Sequence, residues 1–177
     1  MEKVIRLKRD LVAKGKIIDY YQDTVQVPNG NIAVWDYIHH KGAAAVIPVR
    51  EDGKILMVRQ YRNALDRETL EIPAGGIEPG EPTDIAAMRE CEEETGYHCE
   101  EVEFLISIRT TVAFCNEKID IYVARNLVPT KQHLDEDEDI NVEAYTIDEL
   151  VEKIYRAEIQ DSKTISGIMS YARKYHA

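Results

Sequence analysis

Residues Ala74 to Tyr97 read AGGIEPGEPTDIAAMRECEEETGY, and the reading of this stretch decides the fold. It opens as a glycine-rich turn. From Thr83 to Thr95 helix formers dominate, Pro82 stands where a helix begins, and Gly96 stands where a left-handed C-cap is wanted. The spacing predicts a short helix whose last turns carry Glu90, Glu92, Glu93 and Glu94. At roughly 100° per residue, Glu93 and Glu94 fall on either side of Glu90, while Glu92 points nearly the opposite way. Like charges one turn apart cost about 0.2–0.5 kcal/mol per pair, so stability alone does not explain the set. A divalent cation reverses that sign, and clustered carboxylate oxygens suit Mg²⁺ or Mn²⁺. Arg89, one turn before Glu93, is spaced to orient it by an ion pair. Taken alone, a charge run of this kind usually reads as a solvated helix face.

The spacing around the run changes that balance. Gly75, five residues, Glu81, seven residues, and then Arg89, Glu90, Glu93, Glu94 and Gly96 reproduce every fixed position of the Nudix box. The two bulky apolar positions of the box hold Cys91 and Tyr97. The stretch therefore resembles the signature of the Nudix hydrolases.

Outward from this stretch, the chain has 177 residues, long enough for one domain with a proper core. A composition 44% hydrophobic and 31% charged is that of a globular protein. No apolar run is long enough to span a bilayer and no signal-peptide pattern occurs, which points to the cytoplasm. Cys91, Cys99 and Cys115 lack metal-ligand spacing and fit a reducing compartment. The formal charge of −11 argues against general nucleic-acid binding, and a phosphate ligand would have to be received through cations.

Before the box, Lys16 to Val27 and Ile32 to His40 read as two strands joined at Pro28-Asn29-Gly30-Asn31, with Val4, Ile5 and Leu7 as a lead-in. Two strands alone are marginal, so this section, residues 1–40, is expected to lie on the core domain or on a second copy of the chain. Trp35 reads first as a sheet-packing aromatic, and its flat face would also serve as a platform for a base. The core domain, residues 41–177, opens with the apolar run Gly42 to Arg50 as a central strand, followed by a strand at Ile55 to Tyr61. Beyond the helix, Glu103 to Thr111, Ile119 to Ala124 and Ile140 to Tyr145 read as strands. Thr146-Ile147-Asp148-Glu149 is a capping-box signature for a helix, and Asp161 or Ser162 caps a last one. The order predicts α+β or α/β layers around a mixed sheet. The acidic run Leu134 to Asp139 is too charged to pack. It fails as a calcium loop because Ile140 and Thr146 stand where glycine and glutamate are required. Its remaining readings are a solvated loop or a carboxylate brought in to accept a proton from water.

Seen whole, the chain is similar to the ADP-ribose pyrophosphatase branch of the Nudix hydrolases, on the box, Val58 to Arg62, Glu71 to Gly75, the acidic loop, and Asp161-Ser162-Lys163-Thr164. The resemblance implies an α/β/α sandwich with a mixed sheet, and a homodimer whose N-terminal strands cross to the partner. It implies Mg²⁺ ligation by Glu90, Glu94 and the Ala74 carbonyl, with Glu93 ligating or holding a water, Glu81 supporting the metal's surroundings, and Arg89 orienting the glutamates. The base would be Glu136, with Glu138 next; Trp35 would stack on the nucleotide base, and Arg62 and Glu71 would grip the phosphates and terminal ribose region. The implied activity is Mg²⁺-dependent hydrolysis of a nucleoside diphosphate sugar, ADP-ribose foremost. Ala113 stands where a proline of a Ser-Pro-Gly turn occurs in that branch, so GDP-mannose or UDP-glucose remain alternatives. A non-catalytic nucleotide sensor is the reading from another class, against which the intact glutamates weigh.

Overall fold

The computed structural model describes residues 3–136 and 138–176. The chain divides into two compact units, Met1–Gly42 with Arg109–Lys118, and Ala43–Ile108 with Ile119–Ala177. The first unit is a three-stranded antiparallel sheet of β1 (Ile5–Lys14), β2 (Ile18–Gln26) and β3 (Ile32–His40), in that order. The expected hairpin is β2 with β3. The expected lead-in is instead a full strand, β1. Register shifts between Arg6 and Lys8 and between Leu11 and Ala13 break its two-residue alternation, and its charges hide what is left of the pattern. Asp23 ties β1 to β2, accepting from Arg9 Nε and Nη2 at 2.6 Å each. The segment after Arg109 lies along β3: Ile38 N donates to Phe114 O at 2.7 Å and His40 N to Asn116 Oδ1 at 2.8 Å.

The second unit is layered α/β/α. At its centre β4 (Ala43–Pro48) is buried at every position, as a strand covered on both faces must be. Next come β5 (Ile55–Arg62), β6 (Arg67–Glu71), the short β7 (Ala74–Gly76) and helix α1 (Thr83–Thr95). They are followed by β8 (Tyr97–His98), β9 (Val102–Arg109), β10 (Lys118–Ala124), β11 (Val128–Pro129), β12 (Ile140–Tyr145), α2 (Ile147–Tyr155) and α3 (Ser162–Tyr175). The main sheet runs β7-β4-β10-β9, with β4 parallel to β10 and antiparallel to β7, so it is mixed. A second sheet runs β12-β5-β6.

Alternation along β4 builds the layers. Ala44 and Val46 pack with Ala86, Ala87 and Cys91 of α1, whose small residues allow a close approach. Ala43, Ala45 and Ile47 face the other way, into a core with Leu150 of α2 and Ile168 and Tyr171 of α3. The helix ends follow the local sequence. Gly96 closes α1 at φ 71°, the left-handed conformation. Thr146 and Glu149 form the expected capping box on α2, and Asp161 caps α3. Among the described residues no helix is long and apolar enough to cross a membrane.

Candidate active site

The glycine turn and the end of α1 face each other. Glu90 and Glu94 point inward and are 7% and 3% exposed. Arg89 gathers the carboxylates around it: Nη1 donates to Glu90 at 2.7 Å and to Glu93 at 2.8 Å, while Nε and Nη2 reach Glu81 at 3.0 and 3.1 Å. It also ties the turn to the helix by donating to Gly76 O at 3.0 Å. Glu94 instead accepts from Ala74 N at 3.1 Å. The three carboxylates thus do not close on one point, as the helical periodicity suggested. A guanidinium stands between Glu90 and Glu93, and among the described residues no group of three His, Cys, Asp or Glu side chains has metal-holding geometry. Periodicity fixes where Cβ atoms point and says nothing of where the chain's own cations settle.

Burial works against the negative charge of both inward carboxylates. Burial pushes Glu94 up to about 8, with the charges of Glu90 and Glu138 adding and the Ala74 N–H opposing. Burial likewise carries Glu90 to about 7 against the pull of Arg89. Glu81 is held below the usual carboxylate range, first by its bond from Arg89. Two buried carboxylates beside a backbone turn fit Mg²⁺, which takes one or two protein carboxylates and fills its octahedron with waters and substrate phosphates. The residues present therefore fit a divalent ion, with Glu90, Glu94 and Ala74 as the side chains and backbone nearest the turn.

Gly75 is part of this fit. A Cβ there would fall inside the Glu90 carboxylate. Because that carboxylate ends a flexible side chain, Gly75→Ala is expected to cost about 1 kcal/mol of stability or less. It is also expected to displace Glu90 and lower divalent affinity about 10–100-fold. Calorimetric Mn²⁺ titration beside a thermal melt checks both halves.

The acidic loop is anchored to the end of α1. Carbonyls left open by the helix are satisfied by His133 N on Glu93 O at 3.0 Å, Gln132 Nε2 on Glu94 O at 2.7 Å and Thr130 N on Gly96 O at 2.7 Å. Beyond this anchor Glu138 lies near enough for its charge to raise both Glu90 and Glu94. Glu136, the first choice from the sequence, is exposed, as Glu138 is, and Asp137 lies outside the described residues. The sequence places Glu136 first and Glu138 second, and nothing local to the acidic run shows which of the two lies toward the end of α1.

Arg62 and Glu71 are adjacent, but Glu71 is 3% exposed and its oxygens are taken by Arg62 at 2.8 and 2.7 Å, by Thr69 at 2.5 Å and by Lys163. Buried in this way, Glu71 holds Arg62 and does not itself face a ligand. Lys163, Asp161 and Thr164, which complete this network, were not singled out as site residues from the sequence. In the first unit, Trp35 is 48% exposed and lines a cavity of ≈ 650 Å³ with Tyr20, Val34, Asp36, Ala113 and Phe114.

The layered fold and the acidic helix behind a glycine turn define a class of hydrolases that generally work with a divalent metal ion. The chain belongs to the Nudix family: a family model described as "NUDIX domain" matches residues 39–166. A protein of Bacillus methanolicus named "Methanol dehydrogenase activator" is 40% identical over 92% of this chain and 89% of its own length. The "ADP-ribose pyrophosphatase" of Bacillus subtilis (strain 168) is 36% identical over the same shares, 92% and 89%. Among solved structures, one described as "Crystal structure of ADP compounds hydrolase" superposes with a TM-score of 0.87, covering 98% of this chain and 94% of that one. At 21% identity, that likeness speaks for the fold alone. The chain is thus a Nudix hydrolase of the kind to which ADP-ribose pyrophosphatases belong.

Proposed function

We propose that the chain hydrolyses the diphosphate of a nucleoside diphosphate sugar, with ADP-ribose giving AMP and ribose 5-phosphate as the leading case. The observation that carries this reading is the buried Glu90 and Glu94 pair behind Gly75, two carboxylates withheld from water with one guanidinium, that of Arg89, bonded to Glu90 and shared with Glu81 and Glu93. Mg²⁺, or Mn²⁺ in its place, is the ion proposed, held by Glu90, Glu94 and the Ala74 carbonyl, with Glu93 at the margin. When bound, such ions neutralise the diphosphate and lower the pKa of water. Arg89 keeps Glu81, Glu90 and Glu93 in register. Arg62 offers its remaining N–H groups to a phosphate, and Glu138 accepts the proton of the attacking water. Trp35 provides a half-exposed platform for the base.

Incubation with Mg²⁺ and a panel of ADP-ribose, GDP-mannose and UDP-glucose, read by released nucleoside monophosphate, tests the reading. No turnover of any member would overturn it. GDP-mannose or UDP-glucose as the best substrate would move the specificity, for which the Val112-Ala113-Phe114 turn gives a reason. Glu138→Gln is expected to lower kcat about a hundredfold or more, while Glu136→Gln has a mild effect. Equal losses in both would deny Glu138 the role.

A homodimer in the cytoplasm is part of the same proposal. The first unit supports it with exposed Ile5, Leu7, Leu11, Ile32 and Val34 on one small sheet, a surface suited to a second copy. A second reading, activation of a dehydrogenase, is favoured by the name of the Bacillus methanolicus relative, and adding the protein to an alcohol dehydrogenase assay tests it.

A further inference from the structure

The first turn of α3 is bolted to the strand that leads into the glycine turn. Asp161 Oδ2 accepts from Thr164 N at 2.9 Å, Thr164 Oγ1 at 2.6 Å and Lys163 Nζ at 2.9 Å. From this cap two bonds cross to the strand. Lys163, 8% exposed, donates to Glu71, which grips Arg62 through both carboxylate oxygens. Thr164, fully buried, accepts from Ile72 N at 3.0 Å. Just beyond Ile72, Ala74 N donates to Glu94. Arg62 is half exposed, and its charge interacts with Glu94 and Asp161 as well as Glu71.

We propose that this turn positions the reaction site by two separable routes. Lys163, through Glu71, aims the Arg62 guanidinium at the substrate phosphate. Thr164, through the Ile72 N–H, sets the level of Ala74 and so of Glu94. Both are positioning residues: Lys163 is buried between two carboxylates and Thr164 is closed off, so neither touches a ligand. Burial and bonding favour this assignment. A buried carboxylate supplied with a fork of two guanidinium bonds, an ammonium and a hydroxyl has one conformation, and it confers that conformation on the arginine. The first route rests on the diphosphate reading for the ligand of Arg62. The second requires only that Glu94 is a cation ligand.

The test is a split between binding and turnover. With ADP-ribose and Mg²⁺, Lys163→Gln is expected to raise KM about tenfold, more than it lowers kcat, and to weaken binding of an α,β-methylene analogue by the same factor. Lys163→Arg should recover most of that loss. Thr164→Val is expected to lower kcat about tenfold while analogue affinity stays near that of the wild type, and Thr164→Ser, which returns the hydroxyl, should restore it. Should Lys163→Gln melt below the assay temperature, Thr69→Val frees Glu71 from its other side and is expected to raise KM about fivefold. Parallel changes of KM and kcat in both variants, tracking their melting temperatures, would reduce the turn to a structural role and overturn the proposal. So would no change in either. A wild type inactive on every diphosphate would end the substrate reading but not the second route. That route would then be read by Mn²⁺ titration, in which Thr164→Val binds about tenfold more weakly if it is right and equally well if it is wrong.

Discussion

Replacing Glu94 by glutamine is expected to lower kcat by about three orders of magnitude while the protein folds normally. The side chain is 3% exposed and bonded to the Ala74 N–H, which an amide oxygen can still satisfy, so the shape of the site survives. What is lost is the negative charge a divalent ion needs. The same substitution should stabilise the metal-free protein in alkaline solution. Burial raises the folded pKa of Glu94 from 4.5 to about 8, so the folded state favours the protonated acid. Ionisation therefore costs stability progressively as pH rises from 4.5 towards 8, each pKa unit amounting to about 1.4 kcal/mol. Glutamine has no such cost. Thermal melts with a chelator present should show Glu94→Gln above the wild type in alkali and level with it in acid. A wild type that is the more stable in alkali without metal would contradict the electrostatic account, and undiminished turnover would contradict the ligand assignment.

Glu71→Gln acts on stability with the opposite sign. Burial pushes the Glu71 carboxyl up, but Arg62, Lys163 and Thr69 outweigh burial and hold it at about 2. A depressed carboxylate contributes stability above its unfolded value of 4.5 and loses it as pH falls towards 2. Removing its charge leaves Lys163 buried with Asp161 alone, at an expected cost of about 3 kcal/mol, a large share of a stability of about 5–15 kcal/mol. Urea unfolding should show the full difference at neutral pH and a much smaller one at about pH 3. A difference independent of pH would mean that packing, and not charge, sets the role of Glu71.

These two residues show how far the chain was legible. Helix α1 could be read in full, because Pro82, Gly96 and the residues between them are local signals. The central strand announced itself as an unbroken apolar run, as burial on both faces demands. Strand β1 escaped because two register shifts cancel its period. The Arg89 contact with Glu93 followed from helical spacing, whereas its simultaneous hold on Glu81, Glu90 and Gly76 needed the turn to be folded back. Lys163 was invisible as a site residue since Glu71 stands 92 positions away, and nothing local marks such a pair.

The position of Arg89 has a consequence for biosynthesis. A helix end with several carboxylates and no cation of its own would repel itself during assembly. Here a guanidinium from the same helix already neutralises part of that charge. A newly made chain can thus finish its core with no ion in place, so that folding of this helix end does not depend on ion supply.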